Sequence, residues 1–399
     1  MKRSPKDSLR VQIVFFTFIR LVTSTAFRMV YPFLPIFRDA LGVSLADLSR
    51  AIGSRSLVAA FVGPFFAPLA DSRGRRTGML IGMTMFVAGT SIVVFWPTFW
   101  GFVLAMIFTL VGKVTFDPAM QAYLGDRVPY ARRSLAITVT ELSWSGAFIV
   151  GIPVVGWMIS RAGWLAPFPL LGLLILVSAI VLYLGLPKDK AAHGVPVASL
   201  VNFKAILRSP AAQGALLFTL FSCMANEVIG LVFGVWLEGN FGLQLTALGL
   251  SAAVLGAAEL SGEGLVALIT DRLGKRRAIL TGLVINSLAT LSLPFTRGSL
   301  VAALGALFLF YISFEFTIVS SLPLMTEVMP RARATMMSGF FSFASIGRAA
   351  ASLFTPWLYS NGFGVNAAVA IGLNFVAMFL LGSLHIDAEQ KAPAVLRQN

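Results

Sequence analysis

The chain has 399 residues, 57% of them hydrophobic and only 12% charged, with a net charge of +14. A soluble domain carries about 25% charged residues, so most of this surface meets lipid, and the positive balance reads as loop arginine and lysine beside a membrane rather than as a nucleic-acid footprint. The single cysteine, Cys223, lies in an apolar run, which excludes a disulfide framework and reads as inert packing.

The chain opens with Lys2, Arg3, Lys6 and Arg10 ahead of an apolar run over 11–37. That run is too long for a signal-peptide core and lacks a small-residue cleavage site after it, so it reads as a retained first helix. A spanning helix needs roughly 20 mostly apolar residues. Such runs predict spans 1 to 12 at 11–37, 44–69, 77–96, 99–124, 134–160, 164–186, 211–237, 245–269, 278–295, 299–326, 334–358 and 363–384. The longest polar interruption, 187–210, falls at the midpoint. The expected layout is an all-α membrane protein of twelve transmembrane helices. Residues 1–186 form one six-helix bundle, 187–210 a cytoplasmic linker, and 211–399 a second bundle with a short tail.

Lys and Arg concentrate in the N-terminus, in the loops after spans 2, 4, 8 and 10, in the linker and in the tail. The opposite loops hold few: Arg38, Arg161 and Arg297, with Arg50 and Arg55 placed at the start of span 2. The positive-inside rule then sets both termini in the cytoplasm. Trp96, Trp100, Trp164 and Trp357 fall near span ends, as an interfacial belt would.

The halves repeat. Asp71-Ser72-Arg73-Gly74-Arg75-Arg76 follows span 2, and Asp271-Arg272-Leu273-Gly274-Lys275-Arg276 follows span 8, 200 residues later. Gly125-Asp126-Arg127-Val128-Pro129 ends span 4, and Thr326-Glu327-Val328-Met329-Pro330 ends span 10 at nearly the same shift. Two matches at one shift indicate a duplicated six-helix unit with pseudo-symmetric halves.

On these residues the chain resembles the major facilitator superfamily, whose cytoplasmic signature after the second helix has the form Asp-x-Arg-Gly-Arg-Arg. Ala67 and Ala267 stand where the family usually has a glycine. Gly146, Gly151, Pro153 and Gly156 in span 5 are similar to the Gly/Pro motif of the drug:proton antiporter branch, although the Gly-Pro pair is separated by Ile152. That branch carries an arginine in span 4, where only Lys113 is available. The resemblance implies the major facilitator fold, alternating access and a small-molecule substrate. It also implies that Asp71, Arg73, Arg75 and Arg76, with Asp271, Arg272 and Arg276, latch the cytoplasmic helix ends. Topology anchoring alone is the plainer reading of those charges.

Charges inside spans cost roughly 2.5–3.5 kcal/mol each and usually face a cavity or a partner. The bases are Arg20, Arg28, Lys113 and Arg348; the acids are Asp117, Glu141, Glu227, Glu259, Glu263 and Glu315. Lys113 and Asp117, four apart, share a helix face, either as a satisfied ion pair or as a pair from which Asp117 can take a proton. Pro118 interrupts the helix beside them. Asp117 and Glu141 fall at similar depth on consecutive spans and form the leading proton site, because two close carboxylates cannot both ionise cheaply. The alternative pairs Glu141 with Arg132 or Arg133. Glu315, set among Tyr311, Phe314 and Phe316, is a further proton-coupling or cation-contacting acid.

Arg20 and Arg28 sit about 80° apart around span 1. Arg28 occupies nearly the repeat position of Glu227, which suggests a contact across the cavity. Glu259 and Glu263 share a face, with Arg348 as one candidate partner. Together Arg20, Arg28, Lys113, Glu227, Glu259, Glu263 and Arg348 make the expected substrate cavity.

Three functions compete. The first is proton-coupled efflux of small lipophilic or cationic compounds. The second is uptake, or movement of an anionic amphiphile or lipid on the cavity bases. The third is a non-transporting receptor or membrane enzyme. The third has little behind it: there is no nucleophile motif, no Walker A sequence, and His193 and His385, the two histidines, lie outside the spans. No metal or cofactor is expected. The expected partners are the substrate, the proton and the lipid bilayer. The expected location is a bacterial inner membrane, and a monomer suffices.

Overall fold

The computed structural model describes residues 5–186, 206, 208–329 and 332–383, without the side chains of 5–8, 63–73, 130–135 and 334. The expected linker lies almost wholly outside them, as do the tail, His193 and His385. Among the described residues there is no strand and no His/Cys/Asp/Glu group able to hold a metal.

The first half runs α1 (Pro5–Arg28), α2 (Leu34–Leu41), α3 (Leu45–Arg73), α4 (Arg75–Phe95) and α5 (Phe99–Arg127). It continues with α6 (Tyr130–Gly146), a π-helical turn (Ala147–Gly151), α7 (Ile152–Ala162) and α8 (Pro167–Gly185). The second runs α9 (Pro210–Gly230), α10 (Phe233–Phe241), α11 (Leu245–Leu273) and α12 (Lys275–Ser292), which ends in a 3₁₀ turn. It closes with α13 (Leu300–Val328), α14 (Arg333–Ser360) and α15 (Phe363–Ser383). Among the described residues, ten helical segments are long and apolar enough to cross a membrane. Two further long helices, α3 and α14, are 29 and 28 residues. Phe61, Leu268, Leu353 and Phe379 stand more than half exposed on helix surfaces, as lipid-facing side chains do once helices have satisfied their own backbone.

Local chemistry sets the ends, and sets them twice. Gly42 and Gly242 close α2 and α10 in the left-handed region, at φ 63 and 62, where only glycine is unstrained. The Ser44 hydroxyl accepts from the Asp47 N–H at 3.1 Å and Asp47 accepts from the Ser44 N–H at 3.2 Å, a reciprocal cap that starts α3. Gly74 and Gly274, at φ 92 and 81, turn α3 into α4 and α11 into α12. Thr98 and Ser299 cap α5 and α13 by accepting from the amides of Gly101 and Ala302.

Spans 1 and 7 are not the single helices expected over 11–37 and 211–237. Each breaks at the same repeat position, over 29–33 and 231–232. In the first half Pro32 and Pro35 account for the break, since neither can donate to the helical ladder. Span 5 is interrupted as well: Pro153 follows the π turn and leaves the Ile149 carbonyl without its usual donor.

The halves meet along two seams of small residues. A Cβ on Gly53 would stand 3.3 Å from the Ala349 carbonyl, and the Ser342 hydroxyl donates to the Ala60 carbonyl at 2.9 Å, joining α3 to α14. A Cβ on Gly256 would stand 2.8 Å from the Ser145 carbonyl and the Phe148 Cβ, and one on Gly249 3.3 Å from the Ile152 carbonyl, joining α11 to span 5. Such residues let helix backbones approach where no hydrophobic effect drives them together.

One hydrophobic core spans both halves. The second half contributes to it from 225–237, 248–258, 289–311 and 351–370, all toward the Gly242 end. At the arginine-rich end that half keeps a separate cluster around Phe218, Ile279, Met325, Met336 and Leu381. Among the described residues, the halves therefore share a core only toward the Gly42/Gly242 end.

Candidate functional site between the two halves

Helical rise places Arg28, Arg55, Glu227, Glu259, Glu315 and Arg348 roughly 15–23 Å from the Gly42/Gly242 end, one layer near mid-depth. Asp117, Glu141 and Arg20 lie roughly 27–31 Å from that end, a second layer inside the first half.

The deeper layer is a closed charge network. Arg20 grips Glu141 with both terminal nitrogens, at 2.6 and 2.9 Å, and its Nε lies 3.3 Å from Asp117. The Lys113 ammonium donates to Asp117 at 2.7 Å, and the Gln121 amide donates to Glu141 at 3.0 Å. The structure does unite Asp117 and Glu141, but with Arg20 between them. Two acids and two bases cancel, so this pair lacks the carboxylate repulsion that made it the leading proton site. The alternative partners Arg132 and Arg133 lie outside the described side chains.

At mid-depth, Arg28 reaches across the halves. It binds Glu259 of α11 through both terminal nitrogens, at 2.5 and 2.7 Å, and donates to the Trp144 carbonyl at 3.2 Å. Its guanidinium stacks 3.5 Å from the Phe148 ring centroid and 4.2 Å from that of Trp144. Both partners are buried. Arg28 thus meets Glu259, not Glu227 as its repeat position suggested, because its helix ends there and turns the side chain toward α11. Glu259 in turn is taken by Arg28, not by Arg348.

Arg55 is the residue the sequence reading misplaced. It is 1% exposed, about 16 Å along α3 from its Ser44 cap rather than at the membrane edge where span 2 starts. It donates to the Phe27 carbonyl at 3.0 Å and the Tyr31 hydroxyl at 3.4 Å, and stacks 4.1 Å from the Phe27 ring. Tyr31 in turn donates to Glu227 at 3.2 Å. The relay Arg55–Tyr31–Glu227 links an N-half base to a C-half acid through a phenol.

Five interior charges lack a counter-ion within 4.0 Å among the described residues: Arg55 and Glu227, which share the Tyr31 phenol, and Glu263, Glu315 and Arg348. Glu263, one turn beyond Glu259, meets only the Ser145 hydroxyl, at 3.4 Å. Glu315 of α13 has no hydrogen-bond partner and is 9% exposed. Its helix is pressed against α11, where a Cβ on Gly262 would lie 2.9 Å from the Glu315 Cβ. Arg348 of α14 is half-buried and meets neither an acid nor a ring. Tyr31 and Asn226 also belong to this layer and were not singled out from sequence. A phenol or an amide in an apolar helix carries no charge to mark it.

The arginine-rich turns act within each half. Arg75 lies 3.5 Å from Asp126, and Lys275 pairs with Glu327. Arg76 donates to the Tyr183 carbonyl at 2.5 Å, and Arg276 to the Gly382 carbonyl. In both halves an arginine at the start of the third span therefore ties down carbonyls at the end of the sixth. The side chains of Asp71 and Arg73 lie outside the described residues, and Asp271 and Arg272 are exposed. In span 5, a Cβ on Gly146 would meet Leu21, one on Gly151 would strike Thr25, and one on Gly156 would lie 3.1 Å from the Leu245 carbonyl. Pro153 adjoins Gly249. These four residues form helix contacts, not a binding surface. Of the tryptophans, Trp96, Trp100 and Trp357 are exposed near helix ends, whereas Trp164 packs among Phe37, Phe102 and Phe168.

A helical membrane protein of two like halves, with ionisable groups gathered between them, is a transporter by architecture. Comparison with known proteins names the family. The Major Facilitator Superfamily model matches residues 16–347 and 215–397, and the chain belongs to that superfamily. It is 24% identical over 382 residues to the MFS-type transporter YwfA of Bacillus subtilis (strain 168), covering 93% of this chain and 92% of that protein. It is 24% identical over 293 residues to the multidrug resistance protein MdtG of Escherichia coli (strain K12 / DH10B), covering 69% and 70%. The crystal structure of a bacterial homolog of the human lysosomal transporter Spinster, inward-facing and unoccupied, superposes with a TM-score of 0.77 at 17% identity over 97% of both chains. The protein is thus an integral membrane transporter of small molecules and not an enzyme.

Proposed function

We propose that this transporter exports small lipophilic compounds bearing a positive charge in exchange for protons, with Glu315 and Glu263 as the groups that exchange them. The observation behind this is that Glu315 and Glu263 lack both a counter-ion and the phenol bond that engages Glu227, while Arg20, Lys113 and Arg28 are matched. A carboxylate desolvated without a cation favours its protonated form. A cationic substrate arriving beside it supplies the missing charge and displaces the proton. Arg28–Glu259, the seams at Gly53 and Gly256 and the shared core hold the Gly42/Gly242 end together. With the arginine-rich turns in the cytoplasm by the positive-inside rule, this is the cytoplasm-open state of an alternating-access cycle. Twelve spans acting as a monomer in a bacterial inner membrane complete the reading. The similarity to MdtG supports export.

The test uses everted vesicles with an acid interior and a pH-sensitive dye. Proton release on adding amine-bearing compounds, absent from vesicles lacking the protein, is the expected result. No response to any amine would sink the proposal and direct attention to anionic substrates, for which Arg348 is the available base.

A further inference from the structure

We infer that the substrate is amphoteric: it carries an acidic group that Arg348 binds as well as an amine that Glu315 binds. This rests on reading the mid-depth cluster as the transport site, and it specifies the substrate class beyond positive charge.

The other interior bases are already engaged. Arg20 and Lys113 share Asp117 and Glu141. Arg28 holds Glu259. Arg55 is held by the Phe27 carbonyl and Tyr31. Only Arg348 has neither a hydrogen bond nor an ion pair among the described residues. The groups whose charges act on it are Cys223, Glu227, Tyr31 and Glu315, yet it contacts none of them within 4.0 Å. A guanidinium presents five donors in a rigid fork that matches a carboxylate or phosphate. Left open in a desolvated site, that fork is a receptor for an oxyanion.

The wall around Arg348 is built for polar contact. On α9, Cys223, Asn226, Glu227 and Gly230 follow one another at three- and four-residue spacing and so share a face. On α13, Tyr311 and Glu315 do the same. The two faces meet where a Cβ on Gly230 would lie 3.3 Å from the Tyr311 hydroxyl and 3.9 Å from the Asn226 side-chain oxygen. Asn226 is 9% exposed and its buried amide nitrogen donates to nothing. The Tyr311 hydroxyl also has no partner among the described residues, and Tyr311 is 6% exposed. An open guanidinium, an orphan amide, an unpartnered phenol and an open carboxylate on three neighbouring helices are more polar capacity than a packed interface leaves unused.

The charges decide the class. A simple lipophilic cation would meet Glu315 but leave the Arg348 guanidinium, which has Glu227 near it and not in contact, without a hydrogen-bonded partner. A simple anion would meet Arg348 but face Glu315 and Glu263. A compound with both groups answers both residues. Its two charges must be set apart, because Arg348 and Glu315 are not in contact. Glu263 then remains as an acid for the exchanged proton.

The experiment measures calorimetric binding to the full chain in lipid nanodiscs with three probes of one aromatic body: 4-(aminomethyl)benzoate, benzylamine and benzoate. The doubly charged probe is expected to bind at least about tenfold tighter than either single-charge probe. Arg348→Gln should erase that advantage, with benzylamine binding no weaker and tightened by loss of the neighbouring cation, while Arg348→Lys keeps most of it. Benzylamine matching the doubly charged probe would overturn the inference. So would an unchanged ranking in folded Arg348→Gln, or no binding of 4-(aminomethyl)benzoate. Vesicle proton release separates the two readings. Release driven equally by benzylamine and insensitive to Arg348→Gln leaves proton exchange standing and removes the amphoteric substrate. Tight binding of the doubly charged probe with no proton release does the reverse.

Discussion

Helices α3 and α11 are the same length, 29 residues, begin three residues after a left-handed glycine and end at another positive-φ glycine. Yet α3 carries Arg55 into the membrane interior, while α11 carries Glu259 and Glu263. The contrast extends to the whole of each half. Buried bases Arg20, Arg28, Arg55 and Lys113 outnumber Asp117 and Glu141 in the first, and Glu227, Glu259, Glu263 and Glu315 outnumber Arg348 in the second. Duplication kept the glycines, caps and helix lengths that fix the backbone. The charges diverged so that a basic wall faces an acidic one. An identical pair would repel across the cavity; this pair attracts through Arg28–Glu259 and still leaves acids over.

The largest effect expected is from breaking that attraction. Glu259→Ala leaves the Arg28 guanidinium buried without its counter-ion, a loss of about 3–5 kcal/mol, read as a lower unfolding temperature in detergent. The double change Arg28→Met with Glu259→Leu should recover most of the stability while transport stays lost. If the single change is harmless, the two walls are not held by this pair.

Next comes the seam. Gly256→Val places atoms where Phe148 and the Ser145 carbonyl already lie and should cost about 1–3 kcal/mol by overpacking, with transport falling at least as far as expression. The wholly exposed Gly264, with nothing near its Cβ position, is the control: Gly264→Ala should be tolerated.

The smallest effect concerns the frame common to both halves. Arg76→Gln and Arg276→Gln each remove a cation from helix C-terminal carbonyls, worth about 0.3–1 kcal/mol. Similar losses in the two variants would confirm that these arginines brace each half in the same way. A defect confined to transport rate would favour the latch between halves instead.

The frame was largely legible in sequence because apolar length, loop charge and a 200-residue repeat are properties of single segments. Breaks in spans 1 and 7 were not read, although Pro32 and Pro35 were there to mark one of them. Arg55 was assigned to the start of span 2, beside Arg50, and counted with the charges of the outer loops. Eleven residues beyond Ser44, at about 1.5 Å each, already carry Arg55 well inside that span. The charges inside the spans could be named from sequence. Their pairing could not, because Arg20 with Glu141 and Arg28 with Glu259 depend on which helices face each other, and no spacing along the chain records that.

The central claim is that the first half's acids are matched and structural while the second half's are open and exchange protons. It is tested most directly by dye-reported proton release on adding an amine-bearing substrate to vesicles carrying Glu315→Gln, Glu263→Gln, Asp117→Asn or Glu141→Gln, each at matched expression. Loss of release in the two α11/α13 variants, with release retained in folded Asp117→Asn and Glu141→Gln, is the predicted result. Loss in the Asp117 and Glu141 variants, with normal release from both of the others, would contradict it and move the proton site into the first half.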